Sequence, residues 1–89
     1  MANLKAVISM SVSPLMADRS ENFTVELDED NTVERTVTVT NATGQTVWRQ
    51  AVPAGLTQMT ISAARLSKDI NVINVSGGKQ KESCKVIVK

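Results

Sequence analysis

Few residues of this sequence could do chemistry, and their spacing argues against catalysis. Ser76 and Lys79 have the Ser-x-x-Lys spacing of acyl-transfer enzymes. That reaction needs the serine at the start of a helix, whereas Gly77 and Gly78 between the two residues indicate a hairpin turn. Histidine is absent, so neither a conventional nucleophilic triad nor a Cys/His zinc site can be assembled. The sequence therefore predicts a protein that is not an enzyme and carries no cofactor.

An acidic run and a single cysteine are the remaining candidates for a binding site. The run at residues 28–31 (DEDN) lacks the spacing, central glycine and terminal glutamate of an EF-hand loop, and we interpret it as a solvated turn. Cys84 is the only cysteine, so no internal disulfide can form. It shares the parity of Val86 and Val88, which favours a small buried side chain over a reactive thiol. No metal site is predicted.

Composition excludes several classes of function. The chain has 89 residues, which suits a single domain spanning residues 1–89. Ten basic residues against nine acidic ones, with only two aromatic residues, argue against a nucleic-acid partner. No apolar run approaches ~20 residues, so no transmembrane segment is expected. Residues 1–17 faintly resemble a signal peptide, but serines and Pro14 dilute the apolar stretch, and we interpret it as a folded strand.

Alternation of apolar and polar residues predicts β-strands along most of the chain. The clearest case is a hairpin at residues 32–52, whose turn is marked by Asn41 and Gly44. Residues 15–21 are expected to be a connection, and Leu66 is expected to plug the core from a bend. The strands are predicted at residues 4–12, 23–27, 33–40, 47–52, 59–61, 70–75 and 79–89. About seven short strands separated by turns are typical of an all-β fold, an immunoglobulin-like antiparallel β-sandwich.

Parity also assigns individual side chains to faces. Trp48 has the opposite parity to Val47 and Ala51 along its strand. This predicts that Val47 and Ala51 point inward and that the indole of Trp48 is at least partly exposed. Asn71 shares the parity of Ile73, so its amide is predicted to be buried and to need hydrogen-bond partners. Residues 70–75 (INVINV) start with apolar residues of both parities, which is consistent with burial on both sides of the strand.

The last strand is expected to carry one apolar and one basic face. Val86 and Val88 fall on the inward parity, whereas Lys85, Ile87 and Lys89 fall on a face that is mostly wet. Such lysines could form a binding patch, or they could keep an edge strand from pairing with other chains. The sequence favours edge protection, because natural sheets guard their edges in this way.

Residues 11–89 resemble the C-terminal sorting domain of the type IX secretion system, which is found on secreted proteins of Bacteroidetes. The resemblance lies in the order of short motifs: VSP, the strand NFTVEL, the hairpin VTVTNATGQTVW, the strand QMTIS, and a glycine turn before the basic strand KVIVK. The sequence departs from the family pattern in three places. Leu15-Met16 replaces Asn-Pro, Asp69 replaces a glycine, and Asn71 replaces a tyrosine.

The resemblance implies a non-catalytic tag that directs a protein through the periplasm and across the outer membrane, to the cell surface or beyond. The implied partner is the outer-membrane secretion machinery. Its recognition residues would be those of the last strand, namely Lys85, Val86, Ile87, Val88 and Lys89, presented as an edge with free backbone groups for strand addition. The alternative is an immunoglobulin-like binding or structural module of a secreted or surface protein. A glycan-binding module is disfavoured because Trp48 is the only aromatic platform available.

Overall fold

Eight β-strands make up most of the chain in a computed structural model, which describes residues 10–27, 34–77 and 80–89. In chain order they are β1 (Met10–Ser13), β2 (Met16–Ala17), β3 (Asn22–Leu27), β4 (Arg35–Asn41), β5 (Thr46–Val52), β6 (Gln58–Ser62), β7 (Asp69–Gly77) and β8 (Gln80–Val88). One sheet has the order β1-β3-β6 and the other the order β2-β8-β7-β4-β5. The two sheets form an immunoglobulin-like sandwich, as the alternating sequence predicts.

The core lies between the inner faces of the two sheets and is built almost entirely from aliphatic side chains. Every second residue of β3 and β4 is buried, because successive side chains of a strand point to opposite faces. The fully or nearly fully buried apolar residues are Val12, Ala17, Phe23, Val25, Leu27, Val37, Val39, Val52, Met59, Ile61, Ala63, Leu66, Ile73, Val75, Val86 and Val88. Both sheets therefore contribute to one continuous core.

The hairpin between β4 and β5 turns at the predicted asparagine and glycine. The Oδ1 atom of Asn41 accepts hydrogen bonds from the backbone N–H groups of Thr43 (3.1 Å) and Gln45 (3.0 Å). Gly44 has a φ of 89°, which glycine adopts without steric cost. The register of the two strands shifts just before the turn, between Val39 and Thr40, so β5 carries a bulge at that point.

The faces of β5 differ from those predicted by parity. Val52 is fully buried and Ala51 is exposed, so assigning Ala51 to the inner face was wrong. Val47 and Trp48 are both half-buried, and both pack against the core next to the bulge. The partial exposure predicted for Trp48 is confirmed. β5 is an edge strand with little cover, so its sequence alternation alone could not specify which parity faces inward.

The chain changes sheets between β1 and β2, at the cis peptide bond between Ser13 and Pro14. β1 pairs with β3 in the three-stranded sheet, whereas β2 pairs with β8 in the other. The prediction that residues 15–21 form only a connection was therefore wrong. The β2–β8 pair is parallel, so the sandwich is mixed rather than wholly antiparallel. The part of the predicted first strand before Met10 and the acidic run at 28–31 lie outside the described residues.

A short 3-10 helix, η1 (Ala63–Arg65), connects β6 to β7. Ser62 caps it, since the Ala64 N–H donates to the Ser62 Oγ atom at 3.3 Å. Leu66 follows the helix and is buried, which confirms the predicted plug. The expectation that β7 is buried on both sides was wrong at its start, because Ile70 is 39% exposed.

Candidate functional site

The predicted recognition residues lie at the end of β8, which is an inner strand of the five-stranded sheet at this point. β7 pairs with β8 along its whole length, from Asp69 opposite Val88 to Gly77 opposite Gln80. On the other side, β2 pairs with the end of β8, with Met16 opposite Ile87 and Ala17 opposite Val88. The end of the strand thus has neighbours on both sides.

This arrangement corrects the expectation that residues 85–89 form a free edge. The Ile87 N–H donates to the Leu15 carbonyl oxygen at 2.9 Å, and the Lys89 N–H donates to the Ala17 carbonyl oxygen at 2.9 Å. A partner strand cannot add to backbone groups that β2 already engages. Strand addition at this end of β8 is therefore excluded while β2 stays in place.

Further upstream, the outer edge of β8 has no partner strand among the residues that the structure describes. Backbone groups of alternate residues point to the same side of a strand, so those of Lys81 and Lys85 point the same way as those of Ile87. Within the described residues, no strand pairs with β8 on that side before Ile87. The chain enters this sheet from the three-stranded sheet only at Pro14, which is why β2 covers only the end of β8.

The five predicted residues divide between the core and the surface. Val86 and Val88 are fully buried and help to close the core. Lys85 and Lys89 are exposed, and Ile87 is partly exposed between them on the opposite side of the strand. This confirms the two faces predicted from parity. Only Lys85, Ile87 and Lys89 offer side chains that a partner could contact without unfolding the domain.

Three apolar residues that sequence reasoning did not assign to the site lie beside Ile87. Met16 on β2 and Ile70 on β7 are its direct cross-strand neighbours, and they are 48% and 39% exposed. Leu15, which precedes β2, is 57% exposed. One signal was present in the sequence: two apolar residues, Leu15-Met16, replace the Asn-Pro of the family pattern. Its position beside the last strand could not be read from the sequence because β2 has only two residues.

Two polar or reactive side chains near the site have structural roles. Asn71 is fully buried, as predicted, and its Nδ2 group donates to the Ser67 carbonyl oxygen at 2.7 Å. Its Oδ1 atom accepts from the Ser67 N–H at 3.2 Å, so the amide binds both backbone groups of one residue. Cys84 is half-buried and packs against the core, and its thiol lies 3.8 Å from the Lys85 carbonyl oxygen.

The described residues hold no arrangement suited to metal binding or acyl transfer. Across residues 10–27, 34–77 and 80–89, no three His, Cys, Asp or Glu side chains come together as a possible metal site. Ser76 lies within β7 and is not at the start of a helix, and Lys79 lies outside the described residues. Over the same ranges, no helix has the length and apolar character needed to cross a bilayer.

Comparison with known families identifies the chain. The family model described as "Secretion system C-terminal sorting domain" matches residues 19–89. The chain belongs to this family. Its domain is a non-catalytic C-terminal sorting signal for type IX secretion, and such a signal marks a protein exported to the cell surface or the extracellular space. Among curated proteins, none matches the sequence. The match begins after β2, so the strand that covers the end of β8 precedes the matched residues.

Proposed function

We propose that the outer-membrane machinery of type IX secretion recognises this sorting domain through the end of β8, at Lys85, Val86, Ile87, Val88 and Lys89. The lysines and Ile87 make the contact, whereas Val86 and Val88 hold the strand in the core. The observation that carries the proposal is the separation of these two sets of side chains on opposite faces of one strand.

A partner that recognises many exported proteins needs a feature of the sorting domain that does not depend on the surface of the attached protein. The outward side chains of β8 meet this need, because their spacing is set by the strand and not by a mobile loop. Alternate residues of a strand lie ~6.5–7 Å apart. Ile87 therefore has one positive charge on each side of it along the strand, from Lys85 and Lys89. The contact is through side chains, since β2 occupies the backbone groups of Ile87 and Lys89.

Charge-removing substitutions separate recognition from folding. A reporter with a signal peptide is fused to residues 1–89 and expressed in a bacterium that has this secretion system. Substituting Lys85→Gln together with Lys89→Gln leaves both buried valines in place, so the thermal midpoint should stay close to that of the parent fusion. We expect export to fall about tenfold, which corresponds to ~1.4 kcal/mol of binding free energy.

The matched control is Arg19→Gln with Arg65→Gln, which removes two charges from exposed positions outside β8. Export of this control should equal that of the parent fusion. Truncation after Cys84 should also abolish export, but it removes two core valines and therefore unfolds the domain as well. Undiminished export of the Lys85→Gln, Lys89→Gln fusion would contradict the assignment of these residues.

A further inference from the structure

Charge is distributed unevenly between the two outer surfaces of the sandwich, although the whole chain has a net charge of only +1. The outer face of the five-stranded sheet, which points away from the core, carries Arg49 on β5, Lys81 and Lys85 on β8, and Lys89 just after it. Within the five strands, no described outward position holds an Asp or Glu, but Asp18 directly after β2 and Glu34 directly before β4 are exposed on the outward parity. On the three-stranded sheet, the outward position of β3 opposite Ser11 holds Glu26 instead. The charged side chains of the outer face are thus mostly basic, with two carboxylates at its border.

An apolar row crosses this basic face. It consists of Met16, Ile87 and Ile70, which lie in register on β2, β8 and β7. Adjacent strands are ~4.8 Å apart, so the row covers ~10 Å of the sheet. Met16 and Ile70 are both more than a third exposed, and Lys85 and Lys89 flank the row along β8.

Edge protection does not explain the apolar row. Lysines at the open part of β8 and Arg49 on β5 can guard the two edges of the sheet. The row, however, lies where β2 already covers the edge, and exposed apolar side chains next to one another weaken solubility instead of protecting it. Aligned apolar groups bordered mostly by basic residues are typical of a surface that is covered by a partner.

We propose that the apolar row and the basic residues around it dock a protein surface with an apolar centre flanked by carboxylates. This inference rests on the proposed function, since that surface would belong to the secretion machinery. Charge complementarity favours an acidic partner, because four basic residues outnumber the two carboxylates, Asp18 and Glu34, at the border of this face. A lipid surface is disfavoured: interfacial anchoring uses exposed aromatic side chains, whereas Phe23 is fully buried and Trp48 packs against the core.

The docking surface is assembled only by folding. Its three apolar members come from three strands, of which β2 is far in sequence from β7 and β8, and Met16 precedes the residues matched by the family. A peptide that contains only the last strand would therefore lack two of the three apolar groups. Recognition of the folded sandwich should be stronger than recognition of such a peptide.

The test uses the same reporter fusion to residues 1–89 and leaves β8 unchanged. Met16→Ser with Ile70→Ser removes the two ends of the apolar row. Leu56→Ser is the matched control, because Leu56 is also 39% exposed but lies in the loop between β5 and β6. We expect the double variant to export about tenfold less reporter, at an unchanged thermal midpoint, and the control to match the parent. Normal export of the double variant overturns the inference while leaving sorting through β8 intact.

A second measurement does not depend on export. An apolar photo-crosslinking amino acid replaces Ile70 in one fusion and Leu56 in another, and adducts are formed in living cells. We expect a protein adduct only from position 70, with the crosslinked peptide rich in Asp and Glu, and we expect Arg49→Glu to weaken it. A lipid adduct, equal adducts from both positions or no adduct overturns the inference. If the parent fusion is not exported, the proposed function fails, and this adduct alone decides whether the face is a docking surface.

Discussion

Replacing Asn71 by its isosteric acid should be among the most damaging single-atom changes in this protein. Asn71 is fully buried, and its amide binds both backbone groups of Ser67. In the Asn71→Asp variant, the Oδ1 acceptor is kept but an oxygen replaces the Nδ2 donor, which lies 2.7 Å from the Ser67 carbonyl oxygen. The hydrogen bond is lost and two oxygens face each other.

The expected cost at neutral pH is ~3 kcal/mol or more. An unsatisfied buried acceptor costs ~1–3 kcal/mol, and a buried carboxylate without a counter-charge adds to this. A domain of this size has a total stability of ~4–13 kcal/mol. At ~4–8 °C per kcal/mol, the thermal midpoint should fall by more than ~12 °C, which circular dichroism measures directly.

The cost should depend on pH with a definite sign. Burial beside a carbonyl oxygen raises the pKa of the introduced carboxyl above its unfolded value, because the neutral acid can donate to Ser67 and the anion cannot. The folded variant then binds more protons than the unfolded one, so its stability relative to the parent falls as pH rises above the unfolded pKa. Acidification should therefore reduce the difference in thermal midpoint between the parent and the Asn71→Asp variant.

Asn74→Asp is the matched control on the same strand. Its Nδ2 contacts are longer, at 3.3 Å to the Thr38 carbonyl oxygen and 3.4 Å to that of Val72, and the side chain is partly exposed. Its Oδ1 atom accepts from the Ser83 hydroxyl at 2.8 Å, a bond that the acid retains. We expect a cost of ~1 kcal/mol or less. Equal midpoints for the two variants, or a pH-independent loss at position 71, would refute the reasoning.

Three further predictions concern packing. Gly77→Ala should destabilise the domain by ~1–3 kcal/mol, because the added Cβ atom would lie 2.6 Å from Cγ of the buried Arg35. Urea denaturation measures this loss, and an unchanged midpoint would mean that the two groups do not approach so closely. Val88→Ala should cost ~1.5–3 kcal/mol, whereas Ile87→Ala should cost clearly less, because only Val88 is fully buried; the reverse order in the same assay would mean that the faces of β8 are exchanged. Trp48 fluorescence should show intermediate emission and partial quenching by acrylamide, and a strongly blue-shifted, unquenched spectrum would contradict its half-buried position.

Alternation in the sequence was sufficient to predict the sandwich and most inward positions. This works where a strand is long and one face is covered, as for Phe23 and Val25 on β3 or Val86 and Val88 on β8. One-sided burial then selects a single register, because a slip of one residue would expose the whole apolar set. The predicted burial of Asn71 follows from the same rule.

The parts that could not be predicted depend on contacts that are distant in sequence or irregular in geometry. β2 has two residues, too few for a pattern, and its partner lies some 70 positions away on β8. The partners of Asn71 are backbone groups of Ser67, which are brought into place by a turn that includes Asp69 at a φ of 74°. Ile70 is likewise exposed because no layer within the described ranges covers that face of the sheet, which alternation cannot reveal.

Sufficiency of the folded domain for export is the most direct test of the sorting account. A reporter with a signal peptide is expressed with and without residues 1–89 at its C-terminus, in a bacterium that has the type IX system. The account predicts that only the fusion reaches the cell surface or the medium, and that it does so in a strain with an intact system but not in one that lacks it. A fusion that is folded, as judged by its thermal midpoint, yet remains in the periplasm of the intact strain would contradict the account.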